Sequence, residues 1–149
     1  MIRIECMKKL LLLMALFFPF SALAQTDNEV PASALYAFET ATGMKVGAAF
    51  GTLHGGAEDD ELLSVTSPVS PRVEIHEMKE VDGIMQMRRV ESMPIVKNKD
   101  NLLAPNGYHL MFMNLAAPFQ KGKDIPVTLV FKKAGAKTMT IPVMSRKVK

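Results

Sequence analysis

The chain has 149 residues, 18 Lys and Arg against 15 Asp and Glu, and a formal charge of +3. That length suits one domain behind a targeting segment, and so even a charge balance gives no support to nucleic-acid binding. The single cysteine, Cys6, precedes the first apolar run, so a chain cut behind that run has no disulfide and no thiolate chemistry.

In chain order, Lys8 and Lys9 lead into an apolar run over residues 10–20, and Ala22 and Ala24 follow in the small-residue pattern of a signal-peptidase site. Cleavage is predicted after Ala24, which makes 1–24 a signal peptide and 25–149 a single exported domain. The run is shorter than the ~20 residues of a membrane span, so no transmembrane segment is expected. Cys6 is not placed for lipid attachment, and Met7-Lys8-Lys9 reads as the natural start. Cleavage removes Arg3, Lys8 and Lys9 but only one acid, Glu5, so the formal charge falls from +3 to +1.

Residues 25–33 form a polar lead-in, and 35–38 begin the first strand. Residues 41–45 read as a turn. The strand at 46–53, VGAAFGTL, carries small residues, which implies close packing of something over it. His54-Gly55-Gly56 and the acidic run 58–61 read as a loop. The acidic run lacks the ligand spacing of a calcium loop, and His54 is read as solvent-exposed. A short strand at 62–67 precedes a loop bracketed by Pro68 and Pro71. Residues 72–81 and 84–90 flank Asp82-Gly83, a strong hairpin signal. A short extended piece at 93–96, a charged turn at 97–101 and a turn at Asn106-Gly107 follow. Strands at 108–115, 125–133 and 137–143 complete the chain, ahead of a basic, frayed tail. Many short strands with Gly and Pro turns, and no sustained helical period, predict an all-β antiparallel sandwich.

The candidate site lies between His76 and Met113. Two of the three histidines, His76 and His109, gather there with Met78, Met85, Met87, Met111 and Met113. Side chains alternate along a strand, so Leu110 and Phe112 face the core while His109, Met111 and Met113 face the other way. A two-residue turn at Asp82-Gly83 would put Met78 opposite Met87 and His76 opposite Arg89, which makes His76 the diagonal neighbour of Met87. If the 108–113 strand lies beside this hairpin, His76, Met87, His109 and Met111 converge as two imidazoles and two thioethers.

Thioether sulfur is a soft, neutral donor that favours Cu(I). Zinc prefers Cys, His and carboxylate, calcium prefers oxygen, and a blue-copper centre needs a thiolate. A solitary His-x-Met is ordinarily a satisfied histidine beside packing methionine, but five methionines and two histidines on coincident faces favour a site for one soft ion. Met78 and Met113 read as a hydrophobic collar, with the role of Met85 open. Tyr108 and Asn114 read as ordinary packing and a strand end, and Glu74, Glu77 and Arg89 as exposed strand charges.

The spacing His76-x10-Met87-x21-His109-x-Met111 resembles the motif of the PCuAC family of periplasmic copper chaperones. The flanking segments RVEIHEM, DGIMQMR, PNGYHLMFM and IPVTLVF are similar too, over roughly residues 36–143. The resemblance implies a cupredoxin-like antiparallel β-sandwich with Greek-key connections, a periplasmic location, and one Cu(I) held at the surface by His76, Met87, His109 and Met111. It also implies delivery of copper toward cytochrome c oxidase assembly, to an acceptor such as a Sco-type protein or a cytochrome c oxidase subunit. A monomer with no enzymatic role is expected. The tail SRKVK lacks the His/Met-rich extension of some relatives, so no second site is expected there. Two other readings compete. A non-metal binding or scaffold module would bury the Met/His face as packing. An enzyme would need a nucleophile–base or acid–base pair, and none stands at convincing spacing.

Overall fold

The computed structural model describes residues 34–146. The predicted signal segment with Cys6, the lead-in and residues 147–149 of the tail lie outside the described residues. Ten strands run in chain order, with no helix among the described residues: β1 (Leu35–Phe38), β2 (Val46–His54), β3 (Asp60–Thr66), β4 (Arg72–Val81), β5 (Ile84–Val90), β6 (Met93–Ile95), β7 (Asp100–Leu103), β8 (Tyr108–Met113), β9 (Asp124–Phe131) and β10 (Gly135–Met144).

Local chemistry explains the β4/β5 hairpin. Asp82 and Gly83 both take positive φ, 52° and 77°, as a primed two-residue turn demands. Val81 therefore pairs with Ile84, and the ladder runs to Ile75 opposite Val90. In β9 the alternation is equally plain: Ile125, Val127, Leu129 and Phe131 are buried, and the residues between them are not.

One layer orders its strands β5-β4-β8-β2-β1, with β7 beside the second half of β2. The other orders them β10-β9-β3-β6. A pairing of Ala37 with Val143 and Phe38 with Met144 joins the layers along one side, while β5 and β6 are the open edges. This β1/β10 pairing is parallel, as is the bridge between β7 and β8, so the sandwich is mixed rather than wholly antiparallel. Hydrogen bonding alone cannot announce that in a sequence, because either strand direction satisfies the same backbone groups.

Several boundaries also differ, among them these. Asp60 and Glu61 open β3 instead of lying in a loop, because Asp60 has backbone partners in the opposite turn. Asp100–Leu103 is a strand where a charged turn was expected at its start; β2 supplies its ladder, and His54 Nδ1 lies 2.7 Å from Asp100. Tyr108–Met113 stops short because Asn114 takes a left-handed φ of 56°.

The core fills the space between layers with Leu53, Ile75, Leu110 and Phe112 from one side and Leu62, Val127, Leu129, Phe131 and Ile141 from the other. The small residues of β2 have their explanation here. The Phe119 ring lies over Gly47 so closely that a Cβ would stand 2.5 Å from ring carbon Cε2. Burying Leu110 and Phe112 commits the alternate side chains of β8 to the outer face, and the candidate site is built there.

Candidate metal centre

Register assembles the site row by row. In β4 and β8, His76 stands directly opposite His109 and Glu74 opposite Met111. In β4 and β5, Met78 stands opposite Met87 and His76 opposite Arg89, as the hairpin turn predicts. On the other side of β8, Met111 pairs with Ala48 and Met113 with Val46. One row across the outer face therefore reads Arg89, His76, His109, Phe50 and Tyr36, with Phe50 opposite Tyr36 in β1.

The two imidazoles are close. Their ring centroids are 5.9 Å apart, and that of His109 is 6.0 Å from Phe50. Met87 reaches over β4 from the edge strand, placing its Sδ 3.3 Å from His109 Nε2. Met87 as a residue is half exposed, at 50%, while His109 is 4% exposed. Met111 projects on the same face, partly buried, and also lines a shallow pocket with Phe38, Met44, Val46 and Arg146.

Hydrogen bonds select the tautomer of each ring. His109 Nδ1 lies 3.0 Å from the carbonyl oxygen of Gly107. A carbonyl only accepts, so Nδ1 carries the proton and donates, and Nε2, facing Met87, is bare. His76 Nε2 lies 2.8 Å from a Glu74 carboxylate oxygen, so Nε2 donates there and Nδ1 is bare. That Nδ1 is the one buried side-chain nitrogen or oxygen without a hydrogen-bond partner among the described residues. An unpaired buried polar atom costs about 1–3 kcal/mol, unless something occupies its lone pair.

Electrostatics favour this protonation pattern. The hydrogen bond from His76 holds the Glu74 carboxyl below its ordinary range despite burial, helped by Arg72, whose Nε is 3.2 Å away. Burial lowers the His109 pKa and outweighs the opposing Gly107 carbonyl; nearby His76 lowers it further. His109 can thus offer its lone pair, and the carboxylate bonded to His76 is placed as outer partners are in metal sites, where they raise ligand donor strength.

Among the described residues no group of three or more His, Cys, Asp or Glu could hold a metal ion. A four-donor set at this place must therefore include sulfur. Met87 Sδ is the sulfur that the fold brings against the imidazole pair, and Met111 shares their face of the sheet. Met78 lies beside Met87, Met113 and Met85 lie further out along the face, and Met93 is a core residue at 2% exposure. His54 bonds Asp100 at the far end of β2, away from this cluster.

Sequence reasoning undervalued two residues. Glu74 was read as an exposed charge, yet its side chain is only 10% exposed and holds His76. Its position two before His76, on the same face, was the available signal. Phe50 against His109 had no local signal, since β2 and β8 come together only in the folded chain.

A family profile described as lipoprotein LpqE-like matches residues 29–143. A protein of Leifsonia xyli subsp. xyli named as a lipoprotein is 31% identical over 109 residues, 72% of this chain. The chain spans just under two thirds, 66%, of that relative's length. Solved structures are similar in fold. The apo PCuAC domain from PmoF1 superposes with a TM-score of 0.64 at 19% identity, over 76% of this chain and 91% of that one. The copper-bound PCuAC domain from PmoF2 gives 0.62 at 19%, over 76% and 90%. The Cu(I) form of DR1885 from Deinococcus radiodurans gives 0.61 at 20%, over 80% and 79%. The sandwich is thus the cupredoxin-like fold of PCuAC domains.

Proposed function

The chain belongs to the LpqE-like family, with a PCuAC-type fold, and from that premise we propose that it is an exported Cu(I) chaperone. His76, Met87, His109 and Met111 are the proposed ligands, and copper is cargo rather than a reactive centre. The observation that carries this reading is the pair of bare imidazole nitrogens on one face, one orphaned and one 3.3 Å from a thioether. Two imidazoles and two thioethers are all neutral donors, and sulfur selects Cu(I) over harder ions.

Partial exposure suits a carrier. Met87 is open to solvent while the histidines are not, so an incoming ligand can displace the thioether first. The copper-bound PmoF2 domain and the Cu(I) form of DR1885 share the fold and support copper as the ion. The lipoprotein names of the family and the Leifsonia relative support a place outside the cytoplasm. Here Cys6 stands before the apolar run, so we assign export with cleavage after Ala24 and a single periplasmic domain over 25–149. Delivery as a monomer toward cytochrome c oxidase assembly, through a Sco-type acceptor, belongs to the same proposal.

Anaerobic titration with Cu(I) tests it. One equivalent should bind tightly, and Met87→Ala with Met111→Ala should abolish that binding. Unchanged binding in the double variant would overturn the assignment.

A further inference from the structure

We infer that Met78, Met85 and Met87 form a second, thioether-only station for a soft monovalent cation, on the outer face toward the β4/β5 turn. The inference rests on the copper reading above, because Met87 belongs to both positions.

Register brings the three together. Met78 and Met87 are direct partners, and Met85 stands opposite Glu80, diagonal to Met78. Direct partners on one face have Cβ atoms about 4.5–5.5 Å apart, and diagonal ones roughly 7–8 Å. The unbranched methionine chain spans such distances readily. All three lie on the face of His76, which is even-numbered along β4 like Met78. Packing does not account for two of them: Met85 and Met87 are each 50% exposed, whereas Met78 is partly buried and the core methionine Met93 is 2% exposed. Glu80, exposed beside Met85, adds negative charge that attracts a cation.

Three neutral thioethers suit Cu(I) or Ag(I) and hold it less firmly than a set containing two imidazoles. Sharing Met87 lets the ion pass between positions one bond at a time. Met87 remains bound while Met78 and Met85 exchange for the imidazoles and Met111, and the ion stays monovalent throughout. The station is an intermediate for loading and for release alike. Removing it therefore slows both rates by one factor and leaves the equilibrium affinity of the main site unchanged.

Ag(I), a redox-inert probe, tests this on protein carrying 13C-labelled methionine methyls, followed by NMR. In the wild type the first equivalent should shift Met87 and Met111, and a weaker second equivalent should shift Met78 and Met85, which hold it as a two-thioether pair because Met87 is then engaged by the first ion. Met78→Leu with Met85→Leu should lose the second equivalent, keep the first, and load and release more slowly by equal factors. Met78 and Met85 methyls unmoved at two equivalents, or a second equivalent that persists in the variant, would overturn the station. Failure of the mixed site has a different signature: Met111 would stay still while Met78 and Met85 move, which would support the station alone.

Discussion

Glu74 and His76 lie two residues apart on one face of β4, and the imidazole Nε2 stands 2.8 Å from the carboxylate. Both side chains are nearly covered, at 10% and 12% exposure. The bond fixes which nitrogen of His76 is bare, and hence which atom faces an incoming ion. A strand charge two positions from a proposed ligand thus decides the tautomer of that imidazole.

Glu74→Gln should leave the fold intact and weaken Cu(I) binding by about 10–100-fold, the range for lost outer partners. The amide keeps the shape but not the charge, and it can offer an N–H where an acceptor is needed. Competition titration against a Cu(I) chelator measures the change. Affinity within twofold of wild type would show that the carboxylate plays no part.

Acid should destabilise the metal-free protein in a window set by His109. Its folded pKa is lowered, chiefly by burial, against an unfolded value of about 6.5. The unfolded state then binds more protons between the two values, so stability is full above the unfolded pKa and falls as pH drops toward the folded one. Urea midpoints from pH 7.5 to 5 should decline in the wild type and decline less in His109→Gln. Parallel profiles would remove His109 as the cause.

Hydrogen peroxide should oxidise the exposed methionines Met44, Met85, Met87 and Met144 and spare Met93, because thioether oxidation follows exposure. A sulfoxide is polar and no longer a soft neutral donor, so oxidised protein should lose Cu(I) binding, and the redox-inert Ag(I) loaded beforehand should protect Met87. Peptide mass spectrometry reads the order. Protection of Met85 but not Met87 by one equivalent of Ag(I) would contradict the ligand set.

Gly47→Ala should cost about 1–3 kcal/mol, as overpacking a filled core does. The new Cβ would meet the Phe119 ring, which is held in turn edge-on against Phe112 at a centroid distance of 5.3 Å. Because Gly47 adjoins Phe112 in the β2/β8 ladder, the strain falls just beneath the site. Urea unfolding gives the stability, and a wild-type midpoint would mean the ring moves aside freely.

Asp60→Ala should destabilise without touching metal binding. Its carboxylate accepts backbone N–H groups of Glu61, Lys133 and Ala134 at 2.8, 2.8 and 2.9 Å. Burial alone would raise its pKa, but these bonds prevail and lower it. A loss of about 1–3 kcal/mol is expected from stranding such donors, with Cu(I) affinity unchanged. A weakened copper site in this variant would show coupling between the two ends of the sandwich.

Much of this protein is written locally. Asp82-Gly83 specifies its own turn, the turn specifies that Met78 faces Met87, and alternation along Tyr108–Met113 separates Leu110 and Phe112 from His109 and Met111. Those are consequences of backbone sterics and a side-chain period of two, which act between near neighbours. Hence the hairpin and the outer-face placement of the two histidines were legible from residue order. Which strands become neighbours is a property of the whole core, because burial has no direction and rewards any arrangement that hides the same side chains. Only the folded chain brought β8 against β4, so that His76 met His109. Only there did β1 run parallel to β10, Asp100–Leu103 find its ladder on β2, and Phe50 and Glu74 close around the two imidazoles.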